Sequence, residues 1–187
     1  MSNGTVSVRY AKALLKFATE EGCQEQVYSE MKRLLQVMKQ VAELRQRLSD
    51  PTVSDSDKCS VLETAISEDH DSISLPVRNF LKLAVQAGRA EMIIFMASGF
   101  IDLYRKQNHI LSANLVSAIP LDEASCKRLE EIVESVTTGT VEWTKTQDSQ
   151  LMGGFTLQVD GFRLDASVRS RLERIRKELI EKNNRVI

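Results

Sequence analysis

The sequence predicts a mainly α-helical protein, in which an N-terminal six-helix bundle at 1–106 precedes a smaller α+β domain at 107–187. Apolar residues recur at helical spacing as far as about Arg105 and alternate at strand spacing in later segments. Two of the alternating segments flank Asp160-Gly161, a pair that favours a two-residue hairpin turn. The 187 residues, 42% of them hydrophobic, suffice for one domain or two small ones.

The first half of the N-terminal part holds two apolar patterns. A first helix from Ser7 to Glu21 ends at Gly22. A longer stripe follows and fits either one helix or two helices with a kink near Val41, before Asp50-Pro51 stops it. The first helix carries Tyr10, Ala13, Leu14 and Phe17, and the longer stripe carries Val27, Met31, Leu34, Met38, Val41, Leu44 and Leu48.

Three shorter helices complete the N-terminal part. Ser54 is an N-cap followed by acidic residues, as is typical of a helix start. Pro76 suits the first turn of the next helix, which ends at Gly88. The segment from Ala90 to Tyr104 is apolar around most of its circumference, which predicts the central helix of the bundle.

The C-terminal part is predicted to combine strands with two helices. The strands are expected at Leu111–Ser117, Val141–Thr146, Phe155–Val159 and Phe162–Leu164. Asp122 caps a helix that Gly139 ends, and a final helix begins at about Ser167. The final helix has one apolar stripe, while five basic and two acidic residues on its other faces leave a local excess of three positive charges.

Composition argues against several functions. With 25 basic and 26 acidic residues, the chain has no general positive field for a nucleic acid or an anionic membrane. Its longest apolar run, Met92–Ala97, is far shorter than the roughly 18 residues of a membrane-spanning helix. The N-terminal residues lack the pattern of a secretory signal, so we expect a cytosolic protein. The dispersed Cys23, Cys59 and Cys126 predict reduced, mostly packed thiols.

No residue pattern predicts catalysis. Gly153-Gly154 precedes a strand and lacks the lysine of a phosphate-binding loop, so we expect a bend where another backbone comes close. His70 stands in an acidic loop and His109 at a strand start, without a second histidine at helical spacing. We therefore predict no catalytic residue, no cofactor and no metal ligand.

Surfaces for protein partners are the remaining candidates. The first helix mixes small and large apolar residues, and Leu83 and Val85 of the fifth helix fall outside its main stripe. If both helices bury one stripe and leave a second apolar edge, they form a groove for an amphipathic helix. Taken singly, each of these residues fits a position in the core better than one in a groove. The basic last helix likewise fits a solvated face with intrahelical Glu–Arg pairs.

Three segments, Arg9–Leu14, Gly153–Val159 and Asp165–Leu172, resemble the delta subunit of bacterial F-type ATP synthase. The mitochondrial relative of that subunit is the oligomycin-sensitivity-conferring protein. The order of six helical segments and an α+β tail also matches, so the resemblance covers essentially the whole chain. Ala166 departs from the pattern, since many members have glycine there.

The resemblance implies a non-catalytic peripheral-stalk subunit, monomeric when isolated and present once per complex. In the family, the first and fifth helices hold an N-terminal helix of an alpha subunit, and the C-terminal domain engages the b-subunit stalk. Carried over, the alpha-subunit surface comprises Tyr10, Ala13, Leu14, Phe17, Val77, Phe80, Leu81 and Ala84. The b-stalk surface comprises Val168, Arg169, Leu172, Ile175 and Leu179.

Such a subunit links the catalytic head to the stalk, so that proton or sodium flow is coupled to ATP synthesis or hydrolysis. It is expected at the cytoplasmic face of the bacterial inner membrane, held there by the complex without inserting into the membrane and without a nucleic-acid partner. One alternative is a cytosolic helical RNA-binding module, whose binding would fall steeply with salt. A small hydrolase using His70, His109 and the carboxylates is another, and it predicts turnover.

Overall fold

The computed structural model describes residues 3–67, 73–120 and 122–184, and His70 lies outside them. The chain divides into two compact units, unit 1 at 1–107 and unit 2 at 108–187. It is mainly helical, with one small sheet in unit 2.

Unit 1 is helical throughout its described residues. Its helices are α1 (Asn3–Glu20), α2 (Gln24–Gln40), α3 (Ala42–Ser49), α4 (Asp55–Ile66), α5 (Leu75–Gln86) and α6 (Ile93–Gln107), with a 3-10 turn at Ala90–Met92 before α6. α6 packs against both α1 and α2, and Phe95 on its outer side is 64% exposed. The buried side chains of α6 are Ile93, Met96, Ala97, Phe100, Ile101 and Tyr104. Gly99 of α6 faces Ala11 of α1, where the absence of a side chain lets the two helices approach closely.

Helix boundaries in unit 1 follow local chemistry. At Gly22 the backbone adopts a φ of +67°, and the amide of Cys23 donates to the carbonyl of Ala18, which confirms the predicted glycine stop. The two possibilities left open for the long stripe are resolved at Val41, whose extended backbone separates α2 from α3. Ser54 accepts a hydrogen bond from the amide of Asp57 and caps α4 as predicted.

A buried carboxylate connects α2 to the start of α5. Glu30 is 7% exposed and accepts hydrogen bonds from the backbone amide of Ser74, at 2.8 Å, and from its hydroxyl, at 2.5 Å. Gln26 also donates to Glu30, at 3.1 Å. The amide of Ser74 immediately precedes α5, so the negative charge of Glu30 lies at the positive end of that helix. The sequence did not predict the burial of Glu30, because a single buried acidic residue does not alter the periodic pattern of apolar residues.

Unit 2 contains a four-stranded sheet in the order β2-β1-β3-β4. Its elements are β1 (Ile110–Ser117), α7 (Glu123–Val136), β2 (Thr140–Gln147), β3 (Phe155–Val159), β4 (Phe162–Asp165) and α8 (Val168–Asn184), with a 3-10 turn at Ser149–Leu151. β1 pairs parallel with β2 and antiparallel with β3. The hairpin between β3 and β4 has positive φ at both Asp160 (+42°) and Gly161 (+89°), which confirms the predicted turn.

One face of the sheet is packed against α7. Leu115 of β1, Leu157 of β3 and Val133 of α7 form the buried core of unit 2. Glu130 of α7 forms a 2.7 Å ion pair with Lys145 of β2, and this hydrogen bond raises the pKa of the Lys145 ammonium. These contacts place α7 over β1, β2 and β3.

Replacing Glu30 with alanine is expected to destabilise the protein by about 2 kcal/mol. The reason is that the buried amide and hydroxyl of Ser74 both lose their charged hydrogen-bond acceptor. Thermal unfolding followed by circular dichroism measures the change. The control is Gln36→Ala at an exposed position of the same helix, which is expected to have little effect. Equal melting temperatures for the two variants would contradict the role given to Glu30.

Candidate partner-binding surfaces

The described residues offer little for chemistry. They contain no group of three or more His, Cys, Asp or Glu side chains placed to hold a metal ion. Across the same part of the chain, no helix is both long and apolar enough to cross a membrane. Burial raises the pKa of the Cys23 and Cys59 thiols, which favours their neutral, less nucleophilic form.

Tyr10 of α1 connects this helix to α5. Its ring packs edge-to-face on Phe80 of α5, with 6.4 Å between ring centroids. The guanidinium of Arg89 donates a 2.7 Å hydrogen bond to the Tyr10 hydroxyl and lies 5.4 Å from the centre of its ring. The structure thus brings the first and fifth helices side by side, with Tyr10 at their junction.

Most of the residues predicted to contact an alpha subunit belong to the core of unit 1. The buried members are Leu14 (3% exposed), Val77 (0%), Phe80 (6%), Leu81 (0%) and Ala84 (0%). They form the stripes by which α1 and α5 attach to the unit, and at most 6% of each side chain is exposed in this conformation. Tyr10 and Phe17 are half-buried and Ala13 is exposed, so these three alone are accessible.

Leu83 is an exposed apolar side chain on α5. It is 57% exposed and follows Phe80, the ring that contacts Tyr10, by three residues, which places it on the same side of α5 as Phe80. The sequence indicated that Leu83 and Val85 both lie outside the main stripe. That expectation is wrong for Val85, which is 2% exposed. We call Tyr10, Ala13, Phe17 and Leu83 the α1–α5 edge.

All five residues predicted for the b-stalk surface lie exposed on α8. The four apolar members are Val168 (41% exposed), Leu172 (53%), Ile175 (45%) and Leu179 (62%). Arg169 is also exposed and forms a 3.3 Å ion pair with Glu173 one turn later. In the described residues, no element covers this stripe along its length.

The first turn of α8 is fixed by a close backbone approach. Gly154 has a φ of +74°, and a side chain there would overlap the carbonyl oxygen of Ala166. The amide of Val168 donates a 2.9 Å hydrogen bond to the carbonyl of Gly153. The sequence predicted that this glycine pair admits another backbone, and the geometry confirms it. Alanine at position 166 therefore does not prevent a tight approach.

Asp165 closes the turn into α8. Its carboxylate accepts hydrogen bonds from the hydroxyl and amide of Ser167, at 2.7 and 3.0 Å, and from the hydroxyl of Ser170, at 2.9 Å. These bonds, that of the Ser167 hydroxyl foremost, lower the pKa of Asp165. Because the folded pKa is depressed, the turn is at full strength above the ordinary pKa of aspartate and weakens as pH falls.

A second apolar surface of unit 2 was not anticipated from the sequence. The strand register puts Phe162 and Leu164 on the same side of the sheet as α7, yet they are 84% and 55% exposed. Phe162, together with exposed Ile132 and Val136 of α7, borders an open groove of about 580 Å³. The apolar periodicity of α7 does not distinguish its buried positions from its exposed ones. Only the strand order shows that β4 lies outside the part of the sheet that α7 covers.

Comparisons with known proteins agree on one family. The family model described as ATP synthase delta (OSCP) subunit matches residues 6–179. A protein of Phocaeicola vulgatus named ATP synthase subunit delta is 34% identical over 184 residues, 98% of each chain. Its namesake in Bacteroides fragilis is 32% identical over all 187 residues of both chains. The RNA-binding alternative finds no support in these matches.

A solved structure shares the fold. A chain in the cryo-EM structure of the Toxoplasma gondii mitochondrial ATP synthase hexamer superposes with a TM-score of 0.68 at 24% identity. The match covers 93% of the present chain and 97% of that chain. At this identity the likeness concerns the fold alone.

The Gly154→Ala variant is expected to destabilise unit 2 by on the order of 3 kcal/mol, because the new methyl overlaps the Ala166 carbonyl at a positive φ. Denaturant unfolding followed by the fluorescence of Trp143, the chain's sole tryptophan, measures the loss. Gly161→Ala is the control: its φ is also positive, but the described residues leave open space around it, so about 1 kcal/mol is expected. Equal losses would contradict the steric explanation.

Proposed function

The chain belongs to the ATP synthase delta (OSCP) subunit family, and we propose that its two units attach the stator at two separate points. Unit 1, its six helices acting as one bundle, binds the N-terminal helix of an alpha subunit. Unit 2 binds the b subunits of the peripheral stalk. The protein itself is a non-catalytic stator subunit, as the family is.

The exposed apolar residues of the α1–α5 edge are the observation that supports the proposed alpha-subunit contact. A groove between two helices accepts a third when apolar side chains remain on its rims after the core is formed. Tyr10 and Phe17 on α1 and Leu83 on α5 are such side chains, and Ala13 is small enough to let a helix backbone approach. The contact therefore uses the flanks of α1 and α5, in place of the buried stripes inferred from the resemblance.

The exposed stripe of α8 is the basis for the b-stalk contact. Four apolar side chains, each at least 41% exposed, lie along a single helix face. Leaving such a stripe in water is unfavourable, and a second helix packed along it removes the apolar surface from solvent. The stalk helices are the partners that the family provides for unit 2.

Two attachments suit the mechanical task of a stator. The catalytic head must not turn with the rotor, so its joint to the stalk has to bind tightly and needs no reactive group. A nanomolar joint corresponds to about 12 kcal/mol, which a few well-packed apolar anchors supply. We place the subunit once per complex, at the cytoplasmic face of the inner membrane, and expect the free protein to be monomeric.

Leu83→Glu is expected to weaken binding of a peptide from the N-terminus of the complex's own alpha subunit by about 2 kcal/mol, because the carboxylate would be desolvated without a partner. Phe17→Glu is expected to act in the same direction. Isothermal titration calorimetry with the full chain measures both.

The matched control is Leu75→Glu, which also places a glutamate at an exposed leucine of α5 but outside the α1–α5 edge. It is expected to bind as the unaltered protein does, and all three variants should keep their melting temperature within a few degrees. Ala84→Glu, by contrast, is expected to unfold unit 1, since Ala84 is fully buried. Unchanged peptide affinity in both edge variants would refute the assignment.

A fragment of residues 1–107 tests the separation of the two attachments. It contains all of unit 1, so it is expected to unfold cooperatively and to bind the alpha-subunit peptide with nearly full affinity. It is expected to lose all binding to a soluble b-subunit segment. Co-purification of each partner with the fragment and with the full chain provides the readout, and retention of the b segment by the fragment would contradict the division of labour.

A further inference from the structure

We propose that α8 recognises its partner by charge as well as by apolar contact, and that the partner segment is an acidic amphipathic helix with a heptad seam. This inference rests on the proposed function, because it specifies the chemistry of the helix that unit 2 binds. It follows from the spacing of the exposed stripe, from the charges beside it and from the surface at its N-terminal end.

The stripe on α8 has the spacing of a coiled-coil seam. Val168, Leu172, Ile175 and Leu179 follow one another at steps of four, three and four residues. This alternation keeps apolar side chains in contact with a second helix that winds along the first. A helix that merely packs on a globular core has a wider apolar face, and α8 has no such core beneath it in the described residues. The stripe therefore favours one long helical partner.

The residues that flank the seam are predominantly basic. With the four apolar residues at the a and d positions, Arg169, Arg171 and Arg176 occupy the adjacent e and g positions, together with Glu178. Residues at these positions pair with charges on the facing helix and determine partner choice. The flanks thus present three positive charges and one negative charge, which selects a partner with acidic residues beside its own seam.

Two of these arginines are available for a partner. Arg169 is engaged by Glu173 within α8. Arg171 and Arg176 are exposed, and in the described part of the chain neither forms an ion pair. They lie on opposite sides of the seam, so a helix on α8 is met by a positive charge from either side. Their guanidinium groups can contact carboxylates in the bidentate geometry that strengthens such pairs.

The N-terminal end of the seam is marked by an open pocket of about 440 Å³. It lies between α8 and the loop after the 3-10 turn, and Met152, which is 72% exposed, stands on its rim beside Leu172 and Arg176. Methionine is an adaptable apolar contact. A partner helix along the seam is therefore expected to contact Met152 at this end as well as α8.

The test compares two charge reversals in the full chain. Arg171→Glu/Arg176→Glu changes the seam flanks, and Arg174→Glu/Lys177→Glu makes the same change in net charge on the opposite side of α8. The probe is the soluble C-terminal segment of the b subunit from the same complex. Circular dichroism checks that α8 stays folded; if the first double variant loses helix content, Arg171→Gln/Arg176→Gln replaces it.

At low ionic strength the flank variant is expected to bind the b segment about tenfold more weakly than the unaltered protein, while the opposite-face control stays within about twofold. At about 1 M salt, where the Debye length is about 3 Å, the difference between flank variant and unaltered protein should largely disappear. A second probe pair isolates charge: two synthetic helices of about four heptads share one apolar seam and carry either Glu or Lys at e and g. The unaltered protein should prefer the Glu helix, and the flank variant the Lys helix.

Three outcomes would overturn the proposal. Equal, salt-insensitive binding of the b segment by all proteins shows that charge plays no part, although the proposed function then stands. Loss of binding on Phe162→Asp, with the flank variant unaffected, places the partner in the groove beside α7. If the b segment does not bind the unaltered protein, the proposed function of unit 2 fails. The two synthetic helices then test the charge selection independently of the b segment. Equal binding of the two helices refutes that selection.

Discussion

The position of α5 depends on one buried carboxylate, and the α1–α5 edge depends on the position of α5. Glu30 has lost most of its water, so it is stable there only because Ser74 and Gln26 replace those hydrogen bonds. Both donors belong to Ser74, the residue immediately before α5, which ties the start of that helix to the middle of α2. From this fixed start, Phe80 reaches Tyr10 one and a half turns later.

In unit 2 the start of the last helix is held in position mainly by backbone contacts, where unit 1 uses a buried carboxylate. This last helix begins shortly after an edge strand, and among the residues that the structure describes no hydrophobic core lies beneath its first turn. The direction of α8 is instead determined where the Gly154 backbone meets Ala166, and where Gly153 accepts from Val168. Asp165 adds a compact turn of serine hydrogen bonds. A rigid origin allows the remainder of α8 to extend with its apolar stripe exposed.

Sequence reasoning succeeds where a pattern is local. The glycine stop after α1, the Ser54 cap and the Asp160-Gly161 hairpin each depend on a few neighbouring residues, and all are confirmed. It fails where tertiary packing chooses between equivalent positions. Val77, Leu81 and Ala84 belong to the same apolar helix as Leu83, yet only the last faces solvent. The resemblance names the first and fifth helices, but periodicity cannot tell which stripe of each faces its neighbours. Phe162 likewise becomes a surface residue only because the strand order puts β4 at the edge of the sheet.

A stator subunit has to bind its partners without rebuilding its own core, and this constrains where the binding residues lie. If the buried stripes of α1 and α5 were the contact surface, a partner would have to displace packing that stabilises unit 1. The free energy of disrupting that packing would weaken binding. Residual apolar edges avoid this conflict, because the partners proposed for Leu83 and the α8 stripe would cover exposed side chains without displacing core packing. Preformed edges on rigid helices also lose little conformational entropy on binding. For a joint that resists torque through every catalytic cycle, edges left over from an intact core are thus better suited than the buried residues carried over from the family resemblance.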